Sequence, residues 1–409
     1  MKQIFVLLIL GLSTISNASV WHASNEWNEK FEEEYSNWVR TNAVHKDLFV
    51  SKDSPYYGIS ADCADAAYAI RAIFSRENSL PFAITNPSGS RDASNAISNS
   101  VRAFDNIADS NKRFITFINY IGESVGSENL SRLDTYPVAI KSIRPTTLFT
   151  YKIKGRFRKS IRHVYTIKNI QETGNFDLIY STQAIKKNKL PMNYRVGKEL
   201  VNPPKDVWGF KRFIWPRHIG RTSFPASYEY SNEQFAMAKK LGANKFFSMV
   251  KKTIQITEET PDAIIKRSLE SLCLEAQARV QNVAQGVSYS QKINGRCMDY
   301  TEYDIYSTPA RDKALKASFE LLERNFSLYE DQITSAATLS LATDILSKNP
   351  QDRNALKSFC PLEISDSISL DLSTVWYRIK KKKLSSHPND TLSRRWGESK
   401  KNTKCKVWY

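Results

Sequence analysis

The sequence predicts an α+β protein in which a helix carrying a candidate nucleophile packs on an antiparallel sheet and a mostly α-helical domain follows. Helical hydrophobic spacing occurs in three segments between residues 25 and 121. Alternating strand-like segments with turn residues follow between 138 and 182, and helix-start signals return from Ser231 onward. We therefore expect a first domain over 19–230 and a helical domain over 231–409.

The N-terminus has the pattern of a secretory signal. Lys2 is followed by an apolar run from Ile4 to Leu12 and by small residues up to Ala18. We expect cleavage after Ala18 and a secreted or periplasmic protein. No later stretch approaches the roughly 20 apolar residues of a membrane-spanning helix, so no transmembrane segment is expected.

The formal net charge of the 409-residue chain is +17. Basic secreted proteins can bind an anionic envelope polymer. The alternative is a generally basic surface, which the even spread of lysine along the chain favours. Specific nucleic-acid binding is not expected, because no nucleic-acid motif is present.

The five cysteines are an odd number for an oxidising compartment. Four lie in the C-terminal third, and four cysteines allow three connectivities. The simplest pairing is Cys273–Cys297 and Cys360–Cys405. That pairing leaves Cys63 as the free thiol.

Individual elements follow from hydrophobic period and end signals. In the first domain we expect helices over 25–39, 63–78 and 101–121, strands over 138–143, 147–154, 164–170 and 176–182, and an irregular stretch rich in proline and aromatic residues over 188–230. In the second domain we expect helices over 232–256, 261–285, 309–325 and 328–347, with Gly286 as a helix stop and a basic tail from Ile379.

Cys63 is the candidate nucleophile because of its position at a helix start. Asp62 has the character of an N-cap, and Asp65 three residues later completes a near capping box. Unpaired N–H groups and the positive end of the helix dipole favour a thiolate there. An unrelated buried thiol is the alternative.

His163 is the candidate acid and base for this cysteine. Of the five histidines, it alone opens a convincing strand, Arg162 to Ile167, in which Tyr165 shares its face. A cysteine on a helix with a histidine on a later sheet is the layout of papain-like enzymes.

Pro55-Tyr56-Tyr57-Gly58 before Asp62-Cys63, the helix that ends at Leu80-Pro81 and the downstream His-Val strand resemble NlpC-type papain-like cell-wall hydrolases. The chain is more loosely similar to bacterial transglutaminase-like domains. The resemblance covers about residues 55–190, and it implies a papain-like first domain that cuts amide bonds in peptidoglycan stem peptides or related peptides. It departs from these families at Ala64-Asp65, in place of Ser-Gly, and at Tyr165, in place of tryptophan.

A third residue should orient the imidazole through its other nitrogen. A tight turn at 173–175 would place Asp177 about 20 Å from His163 at ~3.3 Å per residue, unless the loop is irregular. Gln183 is therefore the first candidate and Ser181 the second. For the oxyanion, the Cys63 backbone N–H comes with the helix start, and the resemblance implies a hydroxyl from Tyr57 or Tyr56.

No cofactor or metal site is expected, because no histidine pair has zinc spacing and no glycine-rich phosphate loop is present. The sequence thus predicts a cysteine-dependent peptidase or amidase with a peptide or peptidoglycan-type substrate. Two alternatives stay open: a non-catalytic papain-like or other scaffold that binds an envelope partner, and an acyl transferase that uses an amine acceptor.

Overall fold

The computed structural model describes residues 19–89, 95–153, 160–182, 190–221, 223–225, 228–365 and 368–408. The expected signal segment 1–18 and the candidate residue Gln183 lie outside these ranges. The described chain is a mixed α+β protein with an antiparallel sheet and helical regions, as the sequence predicts. Among these residues, no helix combines the length and the apolar character needed to cross a bilayer.

Helices occupy most of both ends of the described chain. They are α1 Glu29–Arg40, α2 Cys63–Glu77, α3 Ser110–Ser124, α4 Ser127–Asn129, α5 Glu233–Ile254, α6 Pro261–Lys292, α7 Tyr300–Tyr306, α8 Pro309–Tyr329, α9 Ala336–Leu346, α10 Arg353–Phe359, α11 Leu372–Lys380 and α12 Leu392–Arg395.

The strands form one large sheet and two small pairs. They are β1 Ala83–Ile84, β2 Ile97–Ser98, β3 Thr135–Pro137, β4 Leu148–Ile153, β5 Ile161–Ile170, β6 Phe176–Tyr180, β7 Asn193–Lys198, β8 Phe210–Phe213, β9 Leu362–Ser365 and β10 Ile368–Leu370. The large sheet has the order β3-β8-β4-β5-β6-β7, and all its neighbours are antiparallel.

Two of the strands in this sheet lie in a stretch that we expected to be irregular, residues 188–230. β7 pairs with β6, and β8 pairs with both β3 and β4. The expectation was wrong because these strands have little alternation of their own: their backbone groups are satisfied by partners far away in sequence. The strand expected over 138–143 was wrong: β3 already ends at Pro137, Val138 makes only an isolated bridge to Tyr230, and Ile140–Ser142 form a short 3-10 turn.

The two faces of the sheet are covered by different helices. Lys168 in β5 donates to the Val39 and Thr41 carbonyls at the end of α1, at 2.6 Å each. Phe149 in β4 points to the other face and packs against Phe247 of α5, with ring centroids 5.8 Å apart. Because side chains alternate along a strand, the residues of β4 and those of β5 up to Ile167 can each be assigned to one of these faces.

The helix α1 is joined to α2 by a buried ion pair. The Arg71 guanidinium donates to the Glu32 carboxylate at 2.5 and 3.1 Å and lies 3.3 Å from the centroid of the Trp27 ring. The Trp215 indole N–H also donates to Glu32, at 2.8 Å. These contacts satisfy both buried charges, and they hold α1 and α2 together on one side of the sheet.

The disulfides differ from the expected pairing: Cys273 is bonded to Cys360, and Cys297 to Cys405. The reason is the length of α6, which continues through Gly286 to Lys292 instead of ending at 285. Cys273 is thereby separated from the helix end by roughly 28 Å at ~1.5 Å per residue. The five residues from the helix end to Cys297 cannot return that far, whereas Cys360 follows α10 directly into the same core.

Candidate active site

Cys63 lies in the first turn of α2, where the sequence places it. The Asp62 carboxylate accepts from the backbone N–H groups of Ala64 and Asp65, at 2.8 and 3.1 Å. Asp65 accepts from the Asp62 N–H at 3.0 Å, so the expected capping box is present. Cys63 is the free cysteine, and it is buried.

Two hydrogen-bonding groups contact the Cys63 sulfur. The Ser127 hydroxyl oxygen lies 3.5 Å from it. The backbone N–H of Val164 also donates to the sulfur. Because Val164 directly follows His163 in β5, the structure brings the sulfur next to the backbone of the histidine segment.

The environment of Cys63 raises the pKa of its thiol, which opposes our expectation of a thiolate. Burial is the largest cause, and the adjacent Asp62 carboxylate adds to it. The hydrogen-bond contacts with Ser127 and Val164 lower the pKa but do not compensate. The helix start alone suggested an activated thiolate, but burial and the neighbouring carboxylate favour a neutral thiol.

His163 lies among three tyrosines. Its ring centroid is 5.7 Å from that of Tyr151, 4.7 Å from Tyr165 and 5.2 Å from Tyr180. Burial lowers the pKa of His163 to about 3, and the charges of Arg311 and Lys198 add to this effect. The resting imidazole is therefore neutral as well.

The sheet register assigns His163 to the face opposite α2. Tyr151 pairs with His163 and Phe149 with Tyr165, so these side chains share the face that packs on α5. Arg162 occupies the other face and reaches Glu128 in α4, beside Ser127. The Cys63 sulfur therefore lies on the α2 side of β5, whereas the His163 imidazole lies on the opposite side of this strand.

Both groups line one cavity of about 510 Å³. The N-terminal end of α2 and α4 form one wall, and the aromatic face of the sheet forms the second. The third wall comes from the helical region, through α6 and the segment from α7 to α8. The cavity thus connects the two sides of β5 beyond the end of β6.

The other candidate residues are not all placed at this cavity. The Tyr56 hydroxyl donates to Glu77, at the opposite end of α2 from Cys63, so it cannot serve as an oxyanion donor there. Tyr57 is partly exposed and does not line the cavity. The Ser181 hydroxyl donates to the Ala61 carbonyl at 2.6 Å and supports the segment before α2. Gln183 lies outside the described residues.

Four charged residues at or beside the cavity were not anticipated from the sequence. Lys198 in β7 donates to the Glu275 carboxylate of α6. Arg195, also in β7, lies 4.0 Å from the same carboxylate. Arg311 in α8 donates to the Thr182 hydroxyl at 2.9 Å. These residues come from segments up to about 120 positions apart, and no local pattern marks them as neighbours.

Within the ranges that the structure describes, no group of three or more His, Cys, Asp or Glu side chains is arranged to hold a metal ion. Comparison with protein-family models, with characterised proteins and with solved structures finds no match to this chain.

Proposed function

We propose that this chain is a cysteine-dependent hydrolase of amide bonds, with Cys63 as the nucleophile and His163 as the acid and base. The observation that carries the proposal is the common cavity: a free cysteine at a capped helix start and a histidine one residue away from the N–H that contacts its sulfur. A helix-borne cysteine beside a histidine strand of an antiparallel sheet also agrees with the papain-like resemblance.

The proposed reaction starts from two neutral groups. The imidazole takes the thiol proton as the sulfur attacks the carbonyl carbon, either directly or through one water that bridges the edge of β5. The S–C bond forms, the C–N bond breaks, and the imidazolium gives its proton to the leaving amine. Water then cleaves the thioester and restores the thiol.

The developing oxyanion requires donors near the sulfur. The Cys63 backbone N–H at the helix start is the first candidate. The Ser127 hydroxyl, whose oxygen lies 3.5 Å from the sulfur, is the second and replaces the tyrosines suggested by the resemblance. The proposed substrate is a peptide, with cell-wall stem peptides as the first class to test. The two disulfides are compatible with the proposed secreted or periplasmic location.

The test is to trap the acyl-enzyme. The protein is incubated with soluble peptidoglycan fragments, and the reaction is quenched in acid. The intact protein is then analysed by mass spectrometry, and the released amines are quantified. We expect a thioester adduct on Cys63 and amine release, both lost in Cys63→Ala and strongly reduced in His163→Ala. His45→Ala, a histidine outside the cavity, should behave as wild type. Adding an amine acceptor separates hydrolysis from acyl transfer.

A second function is favoured by one specific observation, the raised pKa of the Cys63 thiol together with the lowered pKa of His163. With these shifts both side chains are uncharged, and two neutral polar groups are suited to a binding pocket of a non-catalytic scaffold. In that case the peptides would bind equally well to the wild-type protein and to Cys63→Ala in calorimetry, with no adduct and no amine release in either.

A further inference from the structure

We propose that Arg195 and Arg311 bind a carboxylate group of the ligand that enters the cavity, so that the helical region takes part in selecting the substrate. This inference rests on the proposed function in one respect: the bound ligand is a substrate only if the protein is a hydrolase. The carboxylate site itself can be tested without any chemistry at Cys63.

The first argument is the incomplete pairing of a buried cation. The Arg195 side chain is only 10% exposed and lines the cavity. Two of its nitrogens reach the Tyr194 carbonyl at 3.1 Å and the Asn193 amide oxygen at 3.4 Å. Its buried Nε has no hydrogen-bond partner among the described residues, and its nearest ion-pair contact is the Glu275 carboxylate at 4.0 Å. A buried guanidinium nitrogen without a partner carries a desolvation cost that an anionic ligand would remove.

The second argument is the pairing of the acidic group beside Arg195. Burial disfavours the charged form of Glu275, but the charges of Lys198 and Arg195 outweigh burial and lower its pKa. Lys198 is therefore the close partner of Glu275, whereas Arg195 lies 4.0 Å from this carboxylate, beyond hydrogen-bond distance. Arg195 thus makes a long ion pair with Glu275 but no hydrogen bond to it, and its Nε keeps a donor for a second anion.

The third argument is the position of Arg311. This residue opens α8 and donates to Thr182, just after β6, so it joins the helical region to the sheet at the cavity wall. Its charge acts on both His163 and Glu275. A planar guanidinium from each of two walls matches the two oxygens of a carboxylate better than a point charge does.

The experiment compares alkylation of Cys63 by iodoacetate and by iodoacetamide at the same pH, with the ratio of the two rates normalised to that of glutathione. This ratio does not depend on how much thiolate is present. We expect the ratio to exceed that of glutathione by about tenfold, as one charge-assisted contact would give. The single variants Arg195→Gln and Arg311→Gln should each lower the ratio to that of glutathione. Arg195→Lys should retain part of the preference for iodoacetate. Arg217→Gln, which removes the same charge outside the cavity, should leave the ratio unchanged.

A second measurement uses Cys63→Ala, in which the proposed reaction is impossible. Glutarate should raise the melting temperature of this variant, glutaramide should not, and Arg311→Gln in the same background should remove the effect. Stabilisation by glutarate without any acyl-enzyme in wild type would refute the hydrolase and keep the carboxylate site. No preference for iodoacetate and no glutarate effect would refute the site. Equal stabilisation by inorganic phosphate would refute its assignment to carboxylates.

Discussion

The Cys63 sulfur and the Ser127 hydroxyl oxygen lie 3.5 Å apart, so the first turn of α2 contacts the short helix α4 directly. The Val164 N–H in β5 also contacts the sulfur, so groups from two segments distant in sequence meet at the first turn of α2. The reactivity of this thiol is therefore a property of the packed protein, and single substitutions around it should change that reactivity in predictable directions.

Replacing Asp62 by Asn should increase the reactivity of Cys63. Asparagine is an equally good N-cap and can still accept from the Ala64 and Asp65 N–H groups, but it removes the charge that helps to raise the pKa of the thiol. Iodoacetamide labelling at pH 8 should become faster by up to roughly tenfold, about one pKa unit. In wild type, the labelling rate should still be rising with pH above pH 9.

The matched control is Asp109→Asn, because Asp109 caps α3 in the same way and does not line the cavity. Its labelling rate should equal that of wild type. An unchanged rate in Asp62→Asn, or a wild-type rate that levels off below pH 9, would contradict the charge argument.

Removing the Cys273–Cys360 disulfide should destabilise the protein more than removing Cys297–Cys405. The two bonds enclose loops of similar length, with sequence separations of 87 and 108, so the chain-entropy contribution is about 4.7 kcal/mol for each. Cys273 and Cys360 also lie in the core of the helical region, where their loss leaves unfilled space. Urea unfolding of the two double alanine variants measures the difference.

Peptide mapping without reduction checks the connectivity on which this comparison depends. It should recover the pairs 273–360 and 297–405 and one titratable thiol, Cys63. Equal losses of stability in the two variants would show that packing of Cys273 and Cys360 in the core adds nothing to the loop-entropy contribution of this disulfide.

Replacing Arg71 by Met should cost about 3–5 kcal/mol of unfolding free energy, since it leaves the buried Glu32 carboxylate without its cation. Urea or thermal unfolding gives the value. Lys30→Met breaks an exposed pair with Glu34 and should cost at most about 0.5 kcal/mol. Similar losses for the two variants would show that burial does not govern the strength of the Arg71 pair.

Replacing Lys211 by Met should change how stability depends on pH. Burial lowers the pKa of Lys211 from 10.5 to about 7, with the Arg132 charge as the second cause. Between these values the unfolded state binds more protons, so this group makes stability rise with pH from about 7 to 10.5, and its penalty is complete below pH 7.

Lys211→Met should therefore be more stable than wild type at pH 6, by at most about 5 kcal/mol, and the difference should shrink towards pH 10. Loss of the hydrogen bond from Lys211 to the Ser131 carbonyl reduces the gain in unfolding free energy. It does not change how that gain depends on pH. Lys205→Met, which removes an exposed lysine, is the control. A constant difference across this pH range would contradict the depressed pKa.

Elements with a strong local signal were predicted well. The strands expected over 147–154 and 164–170 correspond to β4 and β5, and the helix expected over 232–256 corresponds to α5. Gly286 was misread as a helix stop, because glycine inside a helix costs only about 1 kcal/mol, which tertiary packing outweighs. It is retained there because the Arg395 guanidinium and the Tyr306 carbonyl lie where a β-carbon would project.

The sequence by itself determined the start of α2 and the place of Cys63 within it, because Asp62 and Asp65 bond to backbone groups no more than three residues away. Tertiary structure alone decided the disulfide partners, the face on which His163 lies and the charged groups around the cavity. Those features depend on the length of α6, on the pairing of β7 with β6 and of β8 with β3 and β4, and on the burial of each charge. Such quantities arise from contacts between distant segments, and no local pattern of residues encodes them.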